Sequence, residues 1–141
     1  MKQLNVGLLG IGTVGGGTYT VLTRNAAEIT RRTGVAINVV QVADKNVDHA
    51  KALTDGKVDV TNDAFAVVNN PNVDVVVELI GGYTLSKDLV LKAIANGKHV
   101  VTANKALLAL HGNEIFAAAQ NAGVIVAFEA AVAGGIPIIK A

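Results

Sequence analysis

The 141-residue sequence contains no cysteine and no tryptophan, and only 2 prolines. Without cysteine there is no disulfide framework, no thiolate metal site and no cysteine nucleophile. Aromatic residues total 4%, too few for base-stacking platforms or aromatic sugar clefts. Charge is also scarce. Charged residues make up 16% of the chain, and 12 Lys plus Arg against 11 Asp plus Glu leave a net charge of +1. That balance excludes the basic face that a nucleic acid or an anionic membrane surface requires. No proline- or serine-rich linker and no low-complexity tract divides the chain.

Apolar residues are abundant, at 51%. Such a content excludes disorder, and a chain of this length buries about 68–70% of its unfolded surface as one domain. The amino-terminal run Met1-Lys2-Gln3-Leu4-Asn5-Val6-Gly7 is too short and too interrupted for a signal sequence. The most hydrophobic stretch, 122–139, contains Glu129, the Gly134-Gly135 pair and Pro137. It therefore reads as a buried strand followed by a turn, not as a membrane span. The expectation is a soluble, cytoplasmic protein.

Short Val- and Ile-rich runs predict strands over 4–9, 37–43, 73–79, 99–103 and 124–128, with a weaker strand over 58–61. Near-continuous apolar strands suit a sheet covered on both faces. Helices are predicted over 14–30, 47–54, 64–69, 87–96 and 107–121, with Asp63 and Ser86 as N-caps. Asn96-Gly97 and the 121–123 segment carry the glycine signature of a left-handed helix terminus. Strands alternating with helices imply parallel pairing and right-handed crossovers. The predicted fold is α/β: a three-layer, Rossmann-like, doubly wound parallel sheet of about six strands in the order 3-2-1-4-5-6.

Gly10-Ile11-Gly12-Thr13-Val14-Gly15 leaves the first strand and opens the first helix. The first glycine permits a tight turn, the second lets a pyrophosphate approach the backbone, and the third lets helix and strand pack closely. The helix start then offers N–H groups and partial positive charge to phosphates. A tight turn with no ligand is the plainer alternative. Asp44 follows the second strand, 34 residues past Gly10 against a usual spacing of about 20, the excess lying in a long first helix and its tail. It would accept hydrogen bonds from the adenosine ribose hydroxyls, favouring NAD, whereas Lys45 would pair with a 2′-phosphate, favouring NADP. Asp44 also reads as a capping residue for the turn that follows.

The fourth strand ends in Glu78-Leu79-Ile80-Gly81-Gly82, and its glycines would let the chain come close to the nicotinamide half of a dinucleotide. Glu78 is either a partnered buried carboxylate or sits at an exposed strand end. Thr102-Ala103-Asn104-Lys105 closes the fifth strand with a polar cluster at the same edge. A lysine next to the positive end of a helix dipole is unfavourable, so Lys105 reads as a group that holds a substrate hydroxyl or orients the cofactor. Glu129, followed by small residues, reads either as an acceptor of backbone N–H groups or as one ligand of a cation that also takes successive carbonyls. His49, His99 and His111 form no i, i+4 pair, which argues against zinc.

Gly10-Ile11-Gly12-Thr13-Val14-Gly15, Val75-Val76-Val77-Glu78-Leu79-Ile80-Gly81-Gly82, Val101-Thr102-Ala103-Asn104-Lys105 and Glu129-Ala130-Ala131-Val132-Ala133-Gly134-Gly135-Ile136-Pro137 together resemble the homoserine dehydrogenase family, in order along the whole chain. The resemblance is to the amino-terminal, nucleotide-binding part of that enzyme. It implies an oxidoreductase that interconverts L-homoserine and L-aspartate 4-semialdehyde with NAD or NADP, on the route to threonine, methionine and isoleucine. It carries the cofactor positions over to Gly10, Ile11, Gly12, Thr13, Val14 and Gly15, to Ile80, Gly81 and Gly82, and to Thr102, Asn104 and Lys105, and it makes Lys105 the catalytic candidate. It further implies a structural sodium ion held by Glu129 and the backbone carbonyls of Val132, Gly134 and Ile136.

A substrate and dimerisation domain is implied beyond Ala141. Residues 1–141 are therefore expected to be an NAD(P)-binding Rossmann domain that keeps the cofactor site but has little or no turnover. Its small-molecule substrate would meet the missing domain, through which the parent enzyme would be a homo-oligomer. Two alternatives stay open: another Rossmann dehydrogenase acting on a small aldehyde, lactone or sugar, and a non-enzymatic NAD(H)-sensing module.

Overall fold

The computed structural model describes residues 2–10, 34–80, 84–102 and 104–128. The predicted first helix, most of the Gly10–Gly15 loop and the Glu129–Pro137 motif lie outside the described residues. Six strands are present among the described residues: β1 (Lys2–Leu9), β2 (Val35–Ala43), β3 (Asp59–Thr61), β4 (Val75–Glu78), β5 (His99–Thr102) and β6 (Val126–Phe128). The described helices are α1 (Val47–Thr54), α2 (Ala64–Val68), α3 (Thr84–Ala95) and α4 (Lys105–Ala122).

The strands form one sheet in the order β3-β2-β1-β4-β5-β6, and every neighbouring pair is parallel. This is the order expected from the alternation of strands and helices. Between Val6 and Gly7 of β1 the pairing with β2 skips one residue, leaving Val40 as a bulge. The sheet is covered on both sides, which explains near-continuous apolar runs such as Val75-Val76-Val77 of the wholly buried β4. On one face Val6, Leu8, Val42, Val75, Val77 and Val101 pack with Ala50 of α1. On the other, Leu9, Val76 and Val100 pack with Val67 and Val68 of α2, Leu89, Val90, Ala93 and Ile94 of α3, and Leu107, Ile115 and Ala119 of α4.

Local signals set most helix ends. The Asn46 side chain accepts from the His49 N–H at 3.0 Å to open α1, and Asp63 accepts from the Phe65 N–H at 3.0 Å to open α2, as predicted. Gly97 (φ +77°) and Gly123 (φ +72°) adopt the left-handed conformation expected after α3 and α4. Two predicted starts are corrected. Helix α3 begins at Thr84, so Ser86 lies in its first turn, fully buried, and is not the N-cap; the i, i+4 pair Leu85 and Leu89 carries the helical pattern one turn earlier. Helix α4 begins at Lys105 rather than 107, because Asn104 caps it by accepting from the Leu107 N–H at 2.9 Å. No described helix is long and apolar enough to cross a membrane.

Lys98, just before β5, is a structural cation that the sequence reading did not single out. It is 4% exposed, and its ammonium donates to the Asn70 carbonyl at 2.6 Å and the Val73 carbonyl at 2.7 Å. These bonds tie the α2–β4 connection to β5. Burial pushes the ammonium below the ordinary lysine value, and the Asp74 carboxylate offsets part of that shift. The unfolded chain therefore holds this proton to higher pH than the folded one, so between the two values stability rises with pH. Lys98→Met leaves two carbonyls without donors and is expected to cost about 2–5 kcal/mol in urea unfolding. The variant should also lose the wild type's alkaline gain from this residue. Unchanged stability and an unchanged pH profile would contradict this role.

Candidate functional site

Parallel pairing brings the carboxyl ends of all six strands to one edge, and the chain reverses its direction of travel across the sheet between β1 and β4. That switch point leaves a crevice where ligands of open α/β sheets bind. Here it holds a cleft of about 510 Å³ lined by Gly10, Ala43, Asp44, Lys45, Asn62, Asp63, Ala64, Phe65, Leu79, Ile80 and Leu85. Gly10 leaves β1 with φ +91° and donates its N–H to the Ala43 carbonyl at 2.8 Å. A β-carbon at Gly10 would sit 3.4 Å from the Ile80 nitrogen and the Leu79 carbonyl. That is van der Waals distance, so the left-handed backbone, more than want of space, calls for glycine here.

Asp44 continues the ladder by donating its N–H to the Thr61 carbonyl at 2.9 Å. Its Oδ1 accepts from the Asn46 N–H at 2.8 Å. Asp44 is therefore both a turn-forming residue and a wall of the cleft, so the two readings of it are compatible. Lys45 beside it is exposed. The same lining includes three large apolar side chains kept partly in solvent, Phe65 (36% exposed), Ile80 (37%) and Leu85 (45%). A lining that combines a carboxylate with apolar surface can take both hydroxyl groups and a flat ring.

One element away, Glu78 resolves the question left open by the sequence: it is fully buried and partnered. Its two oxygens accept from the Ile80 N–H at 2.8 Å and the Thr102 hydroxyl at 2.9 Å. The Thr102 oxygen in turn accepts from the Asn104 N–H at 3.0 Å. Thr102 and Asn104 are buried, while Lys105, the first residue of α4, is exposed beside them.

Of the site residues expected from sequence, Gly10, Asp44, Lys45 and Ile80 therefore share one cleft, and Thr102, Asn104 and Lys105 lie together at the neighbouring strand end. Ile11, Gly12, Thr13, Val14, Gly15, Gly81, Gly82, Glu129, Val132, Gly134 and Ile136 lie outside the described residues. The sequence reading missed Asn62, Asp63, Ala64, Phe65 and Leu85 as cleft residues. A signal for the first four existed: β3 was predicted, and the exit of any parallel strand reaches this same edge. A second hollow, of about 440 Å³, lies at the opposite edge among Gln3, Leu4, Pro71, Val73, Asp74, Asn96, Gly97, Lys98 and His99.

Gly10→Ala forces a side chain into a left-handed backbone and is expected to cost about 1–3 kcal/mol. Chemical denaturation measures it, and wild-type stability would contradict the tight turn described.

Three comparisons bear on this site. A family model described as the NAD binding domain of homoserine dehydrogenase matches residues 10–129. A homoserine dehydrogenase of Pseudomonas aeruginosa is 65% identical over 141 residues, covering 100% of this chain and 32% of the relative. The crystal structure of a homoserine dehydrogenase from Thiobacillus denitrificans has a TM-score of 0.87 at 65% identity, over 99% of this chain and 32% of that one. One from S. aureus has a TM-score of 0.84 at 34% identity, over 92% of this chain and 33% of that one. The chain spans about a third of the length of these relatives.

Proposed function

The chain belongs to the homoserine dehydrogenase family, matching its NAD-binding domain, and from that premise we propose that residues 1–141 bind NAD or NADP along the carboxyl edge of the sheet. The observation that carries this reading is the joining of Gly10, Asp44 and Ile80 in one cleft at the switch point. Gly10 permits the tight turn out of β1, after which Gly12 would let a pyrophosphate approach the backbone. Asp44 receives the ribose hydroxyls, and Phe65 on the β3 side offers an apolar surface to the adenine. The same cleft holds Lys45, which would meet a 2′-phosphate, so the balance between Asp44 and Lys45 sets the cofactor choice.

In the full-length enzyme the bound nicotinamide supplies hydride transfer, and the proposed reaction is interconversion of L-homoserine and L-aspartate 4-semialdehyde, in the cytoplasm, on the route to threonine, methionine and isoleucine. An alcohol that loses a hydride must also lose the proton of its hydroxyl oxygen, to a base or a proton relay. Lys105, exposed at the start of α4 near the buried Thr102 and Asn104, is proposed to hold that oxygen. The chain 1–141 alone is proposed to bind cofactor with little or no turnover.

Calorimetric titration with NADH and NADPH tests the reading. At least one is expected to bind. Asp44→Ala is expected to weaken NADH by about tenfold, the loss of hydrogen bonds to a charged group, and to leave NADPH unchanged or tighter. A folded chain that binds neither would overturn the proposal, and an unchanged ratio would remove Asp44 from it.

A further inference from the structure

Glu78 is a carboxylate in a strand whose other residues are valine, and it is fully buried. A buried acid costs several kcal/mol unless hydrogen bonds compensate it, and an apolar residue of similar size serves a sheet interior at least as well. Packing therefore does not explain why a carboxylate stands here. Its bonds give another account. One oxygen accepts from the Ile80 N–H where β4 ends, and the other accepts from the Thr102 hydroxyl where β5 ends. Thr102 accepts from the Asn104 N–H, and the Asn104 side chain caps α4 through the Leu107 N–H. Four successive hydrogen bonds thus join the exit of β4 to the helix that begins with Lys105.

The chemistry of the donors demands two acceptor oxygens. A backbone N–H can only donate, and the Thr102 oxygen already receives a proton from Asn104, so its own hydrogen is left to donate. A carboxylate satisfies both donors at once. An amide at position 78 offers one oxygen and one NH₂, so one of the two bonds is lost.

We propose that Glu78 is a positioning residue for the nicotinamide half of the cofactor, acting through Thr102 to fix the Asn104–Lys105 start of α4 against the exit of β4. This rests on the dinucleotide reading above. In a doubly wound sheet the two halves of a dinucleotide lie on either side of the switch point. With the adenosine half on the β2 side at Asp44, the nicotinamide half lies over β4 and β5. The Thr102 arm of the network touches only the second half, because β4 separates β5 from β1 and β2.

The test compares two probes, NADH and ADP-ribose, the second lacking the nicotinamide ring. They are titrated against the wild-type chain, Thr102→Val, Thr102→Ser and Glu78→Gln, with urea unfolding to show that each is folded. Thr102→Val is expected to weaken NADH by about tenfold while changing ADP-ribose by less than about twofold. Thr102→Ser, which keeps the hydroxyl, is expected to retain the wild-type ratio, and Glu78→Gln to shift it in the direction of Thr102→Val. Equal weakening of both probes, no change in either, or serine behaving as valine would overturn the inference and leave the dinucleotide reading intact. Wild type binding neither probe would overturn both. Should Thr102→Val not fold, the NADH to ADP-ribose ratio of Glu78→Gln decides alone.

Discussion

In a parallel sheet neighbouring strands point the same way, so every strand must end at the same edge and every return must cross a face. Here β1 occupies an interior position and pairs with both β2 and β4, which sends the chain first one way and then the other. All other features follow from that arrangement. The crossovers cover both faces, so the strands carry valine, leucine and isoleucine without alternation. The residues that leave the strands are gathered along one edge: Gly10, Asp44, Asn62, Ile80 and Asn104 come after β1 to β5 in chain order. The cleft lies at the switch point, where the strand order reverses.

The two edges of the sheet solve opposite problems. At the amino edge, Lys98 is buried to satisfy carbonyls of the chain itself, and the cation is absorbed by the fold. At the carboxyl edge, Glu78 is buried to satisfy donors on two separate strand exits, and the residues it steadies lead to exposed side chains. A polar group spent on internal carbonyls supports the scaffold. A polar group spent on holding two loops in register prepares a surface.

Much of this was legible in the sequence because parallel α/β proteins repeat one local pattern. Short apolar runs located all six strands, and alternation with helices sufficed for their order. Asp63, Gly97 and Gly123 announced their helix ends because capping chemistry is local. The start of α4 was set by a local cap, Asn104, that went unread, whereas Ser86 is a good N-cap by type yet is buried in the first turn of α3, which its local sequence does not reveal. Glu78 was visible as an oddity, but its partner Thr102 lies 24 residues away, and only strand pairing brings the two together. Phe65 and Leu85 are ordinary apolar residues by sequence; their partial exposure around one cleft is a property of three dimensions.

The central claim is that a dinucleotide lies along the carboxyl edge of this sheet. The most direct measurement is the amide spectrum of the isotope-labelled chain titrated with NADH. The account predicts perturbation of Gly10, Asp44, Ile80 and Asn104, with Lys98 and His99 at the opposite edge unmoved. Perturbation confined to Lys98 and His99, or none at saturating cofactor, would contradict it.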